Sequence, residues 1–540
     1  MILSLDLAHP SLMTRPDPTP RRRLLLATMI WLAFAALYAG SSRGVFLYGD
    51  DILYFQVTEA IVERGEVEVT SPARRGDVAR SIRGVDGGRY SKYGIGLSVL
   101  AIPFYGAAPS LFDRFELPET LDRNGNRRSG ARVFGTGLVN AALGGATVAL
   151  VFLFALAAGQ RVAAAFGAAC ALGIATPWLH YAGTFLSEPL SGCGIALAFY
   201  GVARFATAPA DEPDTGTRDG WLLLSGFAAG LVVATKVAHL VVLLPLAVWV
   251  LVLAARRNGA GARWRHLASW GMPFTLWLAA IARYDYVRFG NVFETGYHGE
   301  ATRFSTPLFE GLAGLLLSPA KGLVWYCPLI VLAAFGWPAF ARRNRGLAIT
   351  VACGSVLHLL LIAKYYSWYG GDAWGPRLLV PLLPLWVLPL GEAAAALRRG
   401  SRSLRVASLV LVAASFAVSA ASVLSPFDAY PLRTETGPRG RLLAAWEVPR
   451  SPVVHHLSRL PEAVRRTTAE LVGVRPVGMS EGEGEKESIP DFAYARYGSH
   501  ALLQWSRRAF ALALILLVSA AILARRSRSD QKALLSSPPQ

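Results

Sequence analysis

Twelve apolar blocks of 15 to 26 residues recur along the chain, separated by shorter polar segments. They lie at 24–40, 133–158, 162–181, 190–206, 221–237 and 240–255, then at 267–282, 322–340, 346–363, 378–396, 406–424 and 509–523. A run of about 20 apolar residues crosses a bilayer as a helix. In hydrocarbon, a helix satisfies its own backbone groups. The pattern predicts an all-α polytopic membrane protein with about 12 transmembrane helices.

A thirteenth apolar block, 94–112, carries Pro103 and Pro109, and charge decides its place. If it crosses, Arg256, Arg257, Arg342, Arg343, Arg345, Arg398, Arg399 and the basic residues after 524 all move to the outer side. If it lies along the surface, they join Arg21, Arg22 and Arg23 on the cytoplasmic side, as the positive-inside rule requires. The block is therefore expected to be an interfacial or re-entrant helix. Both termini then face the cytoplasm, and the long outer segments are 41–132, 284–321, 365–377 and 425–508. The chain divides into a cytoplasmic tail (1–23), a transmembrane module (24–424), a partly flexible outer segment (425–508), and a last helix with a basic tail (509–540).

Composition supports this division. The 540 residues are 53% hydrophobic and only 17% charged, and mean hydropathy is +0.38. Soluble domains carry about 25% charged residues, so a string of such domains is excluded. The net charge of +18 sits in short clusters that orientation explains, with no nucleic-acid motif beside them. The four cysteines all lie inside apolar blocks, where neither a disulfide framework nor a zinc site follows.

Candidate chemistry gathers in the outer segments. Asp50 and Asp51 follow Gly49 and precede Tyr54; such a pair caps a helix and could also deprotonate a hydroxyl or hold a divalent cation. Lys92, one of only six lysines, lies in RYSKYGIG just before the interfacial block. A point positive charge at headgroup depth suits a lipid phosphate, and ordinary interfacial anchoring is the plainer alternative. Glu188 stands at a span boundary in FLSEP, where a carboxylate needs a partner or water. Tyr297 and His298 lie in a polar, aromatic stretch suited to sugar binding. Lys321 lies in SPAKGL, and YYSWYGGDAWGPR combines Trp368, Asp372 and Arg377 with flexible glycines; Arg377 could grip a phosphate through two nitrogens.

The order and sidedness of these residues resemble the GT-C glycosyltransferase superfamily, nearest the branch of protein O-mannosyltransferases and lipid A aminoarabinose transferases. The likeness covers 24 to about 396 and rests on Asp50, Asp51 and Tyr54 after the first span, Lys92, Glu188, SPAKGL and WYGGDAWGPRLLVPLLPL. Asp51 departs from the pattern, since Glu is common there. The resemblance implies a polyprenyl-phosphate-linked sugar donor and a lipid, glycan or protein acceptor. It also implies transfer on the outer face of the cytoplasmic membrane, usually with inversion. Asp50 would be the base or the ligand of a divalent ion (Mg or Mn), with Asp51 and Glu188 in support. Lys92, Arg377 and Lys321 would meet the phosphate, while Tyr54, Tyr297, His298, Trp368 and Asp372 would line the substrate. A transporter of lipid-linked sugars is the alternative. Such a protein would place acids near the bilayer midplane, where the spans carry almost none.

Overall fold

The computed structural model describes residues 19–46, 49–69, 81–121, 126–207, 216–256, 260–297, 303–425, 445–474 and 492–536. Its first half comprises α1 (Pro20–Gly40), α2 (Gly49–Arg64), a hairpin of β1 (Ser81–Arg83) and β2 (Arg89–Ser91), α3 (Gly96–Phe112), α4 (Gly130–Ala157), α5 (Val162–Ile174), α6 (Trp178–Ala182), α7 (Glu188–Thr207) and α8 (Gly216–Thr235). The second half adds α9 (Leu240–Ala255), α10 (Ala260–Phe289), α11 (Leu308–Leu317), α12 (Leu323–Tyr326), α13 (Ile330–Arg343), α14 (Arg345–Lys364), α15 (Leu383–Trp386), α16 (Leu390–Leu397) and α17 (Arg402–Leu424). Helices Pro452–Val472, Ala493–Tyr497 and His500–Ser536 follow.

Every apolar block expected to span falls on a helix or a helix pair. Among the described residues, seven single helices are long and apolar enough to cross a membrane. The count reaches eight when the pair Arg377–Trp386 and Leu390–Leu397, bent by 61°, is taken as one. The count of twelve is not reproduced, for local reasons. Pro177 separates α5 from α6 and Pro328 separates α12 from α13; a proline supplies no backbone N–H to continue a helix. α8 and α10 are continuous but bring charged residues into their length, among them Arg218, Asp219, Asp285 and Arg288.

Close helix packing explains the many small residues. A methyl on Gly145 of α4 would strike the backbone of Trp31 and Ala35 in α1, and one on Gly226 of α8 would strike the Trp270 carbonyl of α10. Lipid offers no hydrophobic drive between helices, so such backbone approach is what holds them. α3 lies across the ends of two spans. Gly96 packs on Thr235 at the C-terminal end of α8, and Phe112 meets Phe134 near the start of α4 with ring centroids 5.0 Å apart. This packing puts α2, α3 and the hairpin at one end of the bundle.

Candidate active site

Five segments far apart in sequence meet at that end. Asp50 stands in the first turn of α2, where a carboxylate suits the helix dipole. Glu188 opens α7. Its approach is fixed by Asn140 of α4, whose amide donates to the carbonyls of Thr184 and Leu186, both at 2.7 Å. Arg377 begins a 3₁₀ turn (Arg377–Leu382) after a loop with Gly370, Gly371 and Gly375 at φ of 71°, 71° and 59°. Left-handed backbone favours glycine, and at Gly375 the Tyr326 ring leaves no room for a methyl.

Arg377 ties the two acids together. Its Nη2 donates to Asp50 Oδ2 and its Nε to Glu188 Oε1, each at 2.7 Å. Arg377 is 8% exposed and Glu188 1%. Burial works against the guanidinium charge, and the Glu188 and Asp50 carboxylates offset it. Tyr93 donates to Asp50 Oδ1 at 2.5 Å. Burial first, and then the Asp50 charge, push the Tyr93 phenol up, so it stays a donor. Lys236, just beyond α8, places Nζ 3.9 Å from Glu188 Oε1. The other Glu188 oxygen, Oε2, is buried with no hydrogen-bond partner among the described residues.

A cleft runs alongside, lined among others by Lys92, Lys236, Tyr284, Arg288 and Tyr297. The Lys92 ammonium lies 5.8 Å from the Tyr93 ring centre and 5.5 Å from that of Tyr297. Tyr54 stacks in a tilted pair with Tyr93 at 5.4 Å, and Tyr93 meets Tyr297 edge-on at 6.4 Å. Arg288 pairs with Asp285 and donates to the Ser91 carbonyl, joining the base of the hairpin to α10 next to Lys92.

The structure thus brings together Asp50, Glu188, Lys92, Arg377, Tyr54 and Tyr297. Asp51 is buried (2% exposed), and its Oδ1 accepts the Ile52 backbone N–H at 2.7 Å. Lys321, Trp368 and Asp372 lie at the back of the loop that leads to Arg377. Lys321 donates to the carbonyls of Gly371, at 2.8 Å, and Ala373. Trp368 is buried against Gly314, and Asp372 is half-buried beside Lys321. His298 lies outside the described residues. Four participants carry no clear mark in the sequence: Tyr93 reads as an interfacial anchor, Lys236 lies within an apolar block, and Asp285 and Arg288 follow one. The legible signal was Lys236 itself, a rare lysine at the same end of a span as Glu188.

The sequence offers Asp50 and Asp51 as possible holders of a divalent cation. The described residues contain no group of three His, Cys, Asp or Glu side chains close enough to share one. Asp50 and Glu188 present oxygens to a guanidinium instead.

Residues 100–284 match the model of the dolichyl-phosphate-mannose-protein mannosyltransferase family. No curated protein matches the chain significantly. Among solved structures, ArnT from Cupriavidus metallidurans bound to undecaprenyl phosphate aligns with 93% of this chain and 77% of its own, at 16% identity and a TM-score of 0.47. The S. cerevisiae protein O-mannosyltransferase Pmt1-Pmt2 complex bound to its sugar donor covers 50% of this chain and 34% of its own (16% identity, TM-score 0.34). The oligosaccharyltransferase AglB from Archaeoglobus fulgidus covers 80% and 60% (12% identity, TM-score 0.46). The matched segment holds Glu188 and Lys236 and is flanked by Asp50, Lys92 and Arg377.

Proposed function

We propose that this protein moves a sugar from a polyprenyl-phosphate carrier to an acceptor hydroxyl, with inversion, on the outer face of the cytoplasmic membrane. The observation that carries the reading is the buried Asp50–Arg377–Glu188 triad opening beside a cleft with Lys92 and Lys236. The family whose model matches 100–284 is named for dolichyl-phosphate-mannose, a polyprenyl-type phosphate sugar, and these cations suit such a phosphate. The distribution of basic loops supports the outer face.

In the reaction, Asp50 takes the acceptor hydroxyl proton as the acceptor oxygen bonds to the anomeric carbon. The bond from that carbon to the phosphate oxygen breaks, and its electron pair leaves with the lipid phosphate. Lys92, Lys236 and the remaining guanidinium nitrogen of Arg377 meet the growing charge, where fixed cations act most strongly. Tyr93 and Arg377 both donate to Asp50, which aims its carboxylate. A carboxylate so held is a weak base, which suffices because the hydroxyl becomes acidic as its bond to carbon forms. Glu188 fixes Arg377 through Oε1 and offers Oε2 to a sugar or acceptor hydroxyl.

The test is transfer from radiolabelled polyprenyl-phosphate sugars by purified protein in nanodiscs. Asp50→Asn should lower transfer by at least a thousandfold while leaving membrane insertion intact, as losing a general base plus its positioning would. Near-normal transfer by that variant would remove Asp50 from the role of base.

A further inference from the structure

We infer that Lys321 is a positioning residue that sets where Arg377 presents its guanidinium, by gripping the preceding glycine loop from behind. The inference rests on the sugar-transfer reading of the Asp50–Arg377–Glu188 site. The loop 369–376 cannot hold its own shape. Gly370, Gly371 and Gly375 all take left-handed backbone, so the loop depends on points of attachment outside it.

Those points are supplied by the turn between α11 and α12. Lys321 is 4% exposed, and its ammonium donates to the carbonyls of Gly371, at 2.8 Å, and Ala373. One ammonium with three donors can span two carbonyls two residues apart, which a neutral hydroxyl or amide cannot do as strongly. The turn is rigid: the Lys321 backbone N–H donates to Ser318 Oγ at 3.2 Å and the Gly322 N–H to the Ser318 carbonyl at 2.6 Å. Tyr326, one turn on, covers Gly375 and donates its hydroxyl to the Ala320 carbonyl at 2.7 Å. Tyr181 donates to the Trp374 carbonyl at 2.6 Å. Consecutive sites of the loop are therefore pinned, and the Arg377 N–H donates to the Gly375 carbonyl at 2.9 Å, two residues past the last pin. The ammonium is thus committed to two loop carbonyls, with the Asp372 carboxylate of the same loop acting on its charge. Committed and buried in this way, the ammonium is not a ligand of the donor phosphate.

The experiment compares wild type with Lys321→Met in nanodiscs by two readouts. Amide hydrogen exchange over 369–376 reads the grip without any reference to chemistry, and steady-state transfer reads its effect on Arg377. Lys321→Met should exchange faster in this loop and lose at least tenfold in kcat, equivalent to about 1.4 kcal/mol, with donor KM within about threefold of wild type. Added ethylammonium should restore part of the kcat of Lys321→Ala. Unchanged exchange, or faster exchange with unchanged kcat, overturns the inference. So does a raised donor KM at constant kcat, the signature of a direct donor ligand. If the lysine variants fail to fold, Gly371→Ala strains the same loop at φ 71° with open space around the new methyl. It should reproduce the kcat loss, and wild-type kcat there overturns the inference. If wild type transfers no sugar from polyprenyl-phosphate donors, the transfer reading fails by itself, and exchange alone decides the grip.

Discussion

Replacing Arg377 by lysine keeps the charge of the site and removes its geometry. The guanidinium reaches Asp50 through Nη2 and Glu188 through Nε, both at 2.7 Å. A lysine has one nitrogen on a shorter reach and can serve only one acid closely. Asp50 is partly open to solvent, whereas Glu188 is 1% exposed, so Glu188 is the acid that suffers when unpaired. Removing one partner of a buried ion pair costs about 3–5 kcal/mol. Lys236 compensates in part, but at 3.9 Å it is beyond a good hydrogen bond. Taking the lower end of that range, and tenfold per 1.4 kcal/mol, Arg377→Lys should lose roughly a hundredfold in turnover. The assay is kcat for transfer in nanodiscs at saturating donor. The double variant Glu188→Gln/Arg377→Lys should recover at least about tenfold over Arg377→Lys, because the stranded charge is gone. More than a tenth of wild-type kcat in the single variant, or no recovery in the double, would refute the argument.

Two further outcomes follow from the same contacts. Tyr93→Phe removes one donor from Asp50 without touching Arg377 and should lower kcat by about tenfold, the worth of one hydrogen bond to a charged acceptor; unchanged kcat would show that Arg377 alone aims the base. Burial pushes Lys321 down to about 7, against about 10.4 for a free lysine. Between those values the unfolded chain binds more protons than the folded one, so this residue's penalty is full below pH 7 and is relieved as pH rises towards 10. The stability of wild type relative to Lys321→Met should therefore grow between pH 7 and 10, measured by thermal unfolding in detergent; a gap that shrinks or stays flat contradicts the downward shift that burial imposes on Lys321.

The long apolar helices were legible because length and hydropathy are local properties, and 24–40, 133–158 and 190–206 each fall on one continuous helix. The breaks at Pro177 and Pro328 were carried by single residues inside otherwise apolar runs and were read through. At the site, Asp50, Glu188, Lys92 and Arg377 stood out as charges at span ends. That Arg377 would join two acids, instead of facing a phosphate with its whole fork, depends on a contact 327 residues distant from Asp50, which no local pattern encodes. Lys321 shows the same limit. A lysine at a span boundary reads as a headgroup cation, and only the fold around Gly371 and Ala373 gives it two carbonyls to hold.

The bond from Arg377 to Glu188 joins residues 189 positions apart, and this has a consequence for how the protein is made. At roughly 5–20 residues per second, Glu188 waits about 10 to 40 s after synthesis before its partner exists. During that interval α7 has already met the membrane with a carboxylate at its tip, and Lys236, 3.9 Å from Glu188 Oε1, offsets its charge only in part. The acid must stay near water, which keeps the N-terminus of α7 loosely seated. Arrival of Arg377 closes the span and the site in one event. An incomplete chain is therefore recognisable as incomplete, and membrane quality control should remove Arg377 variants sooner than their catalytic defect alone would suggest.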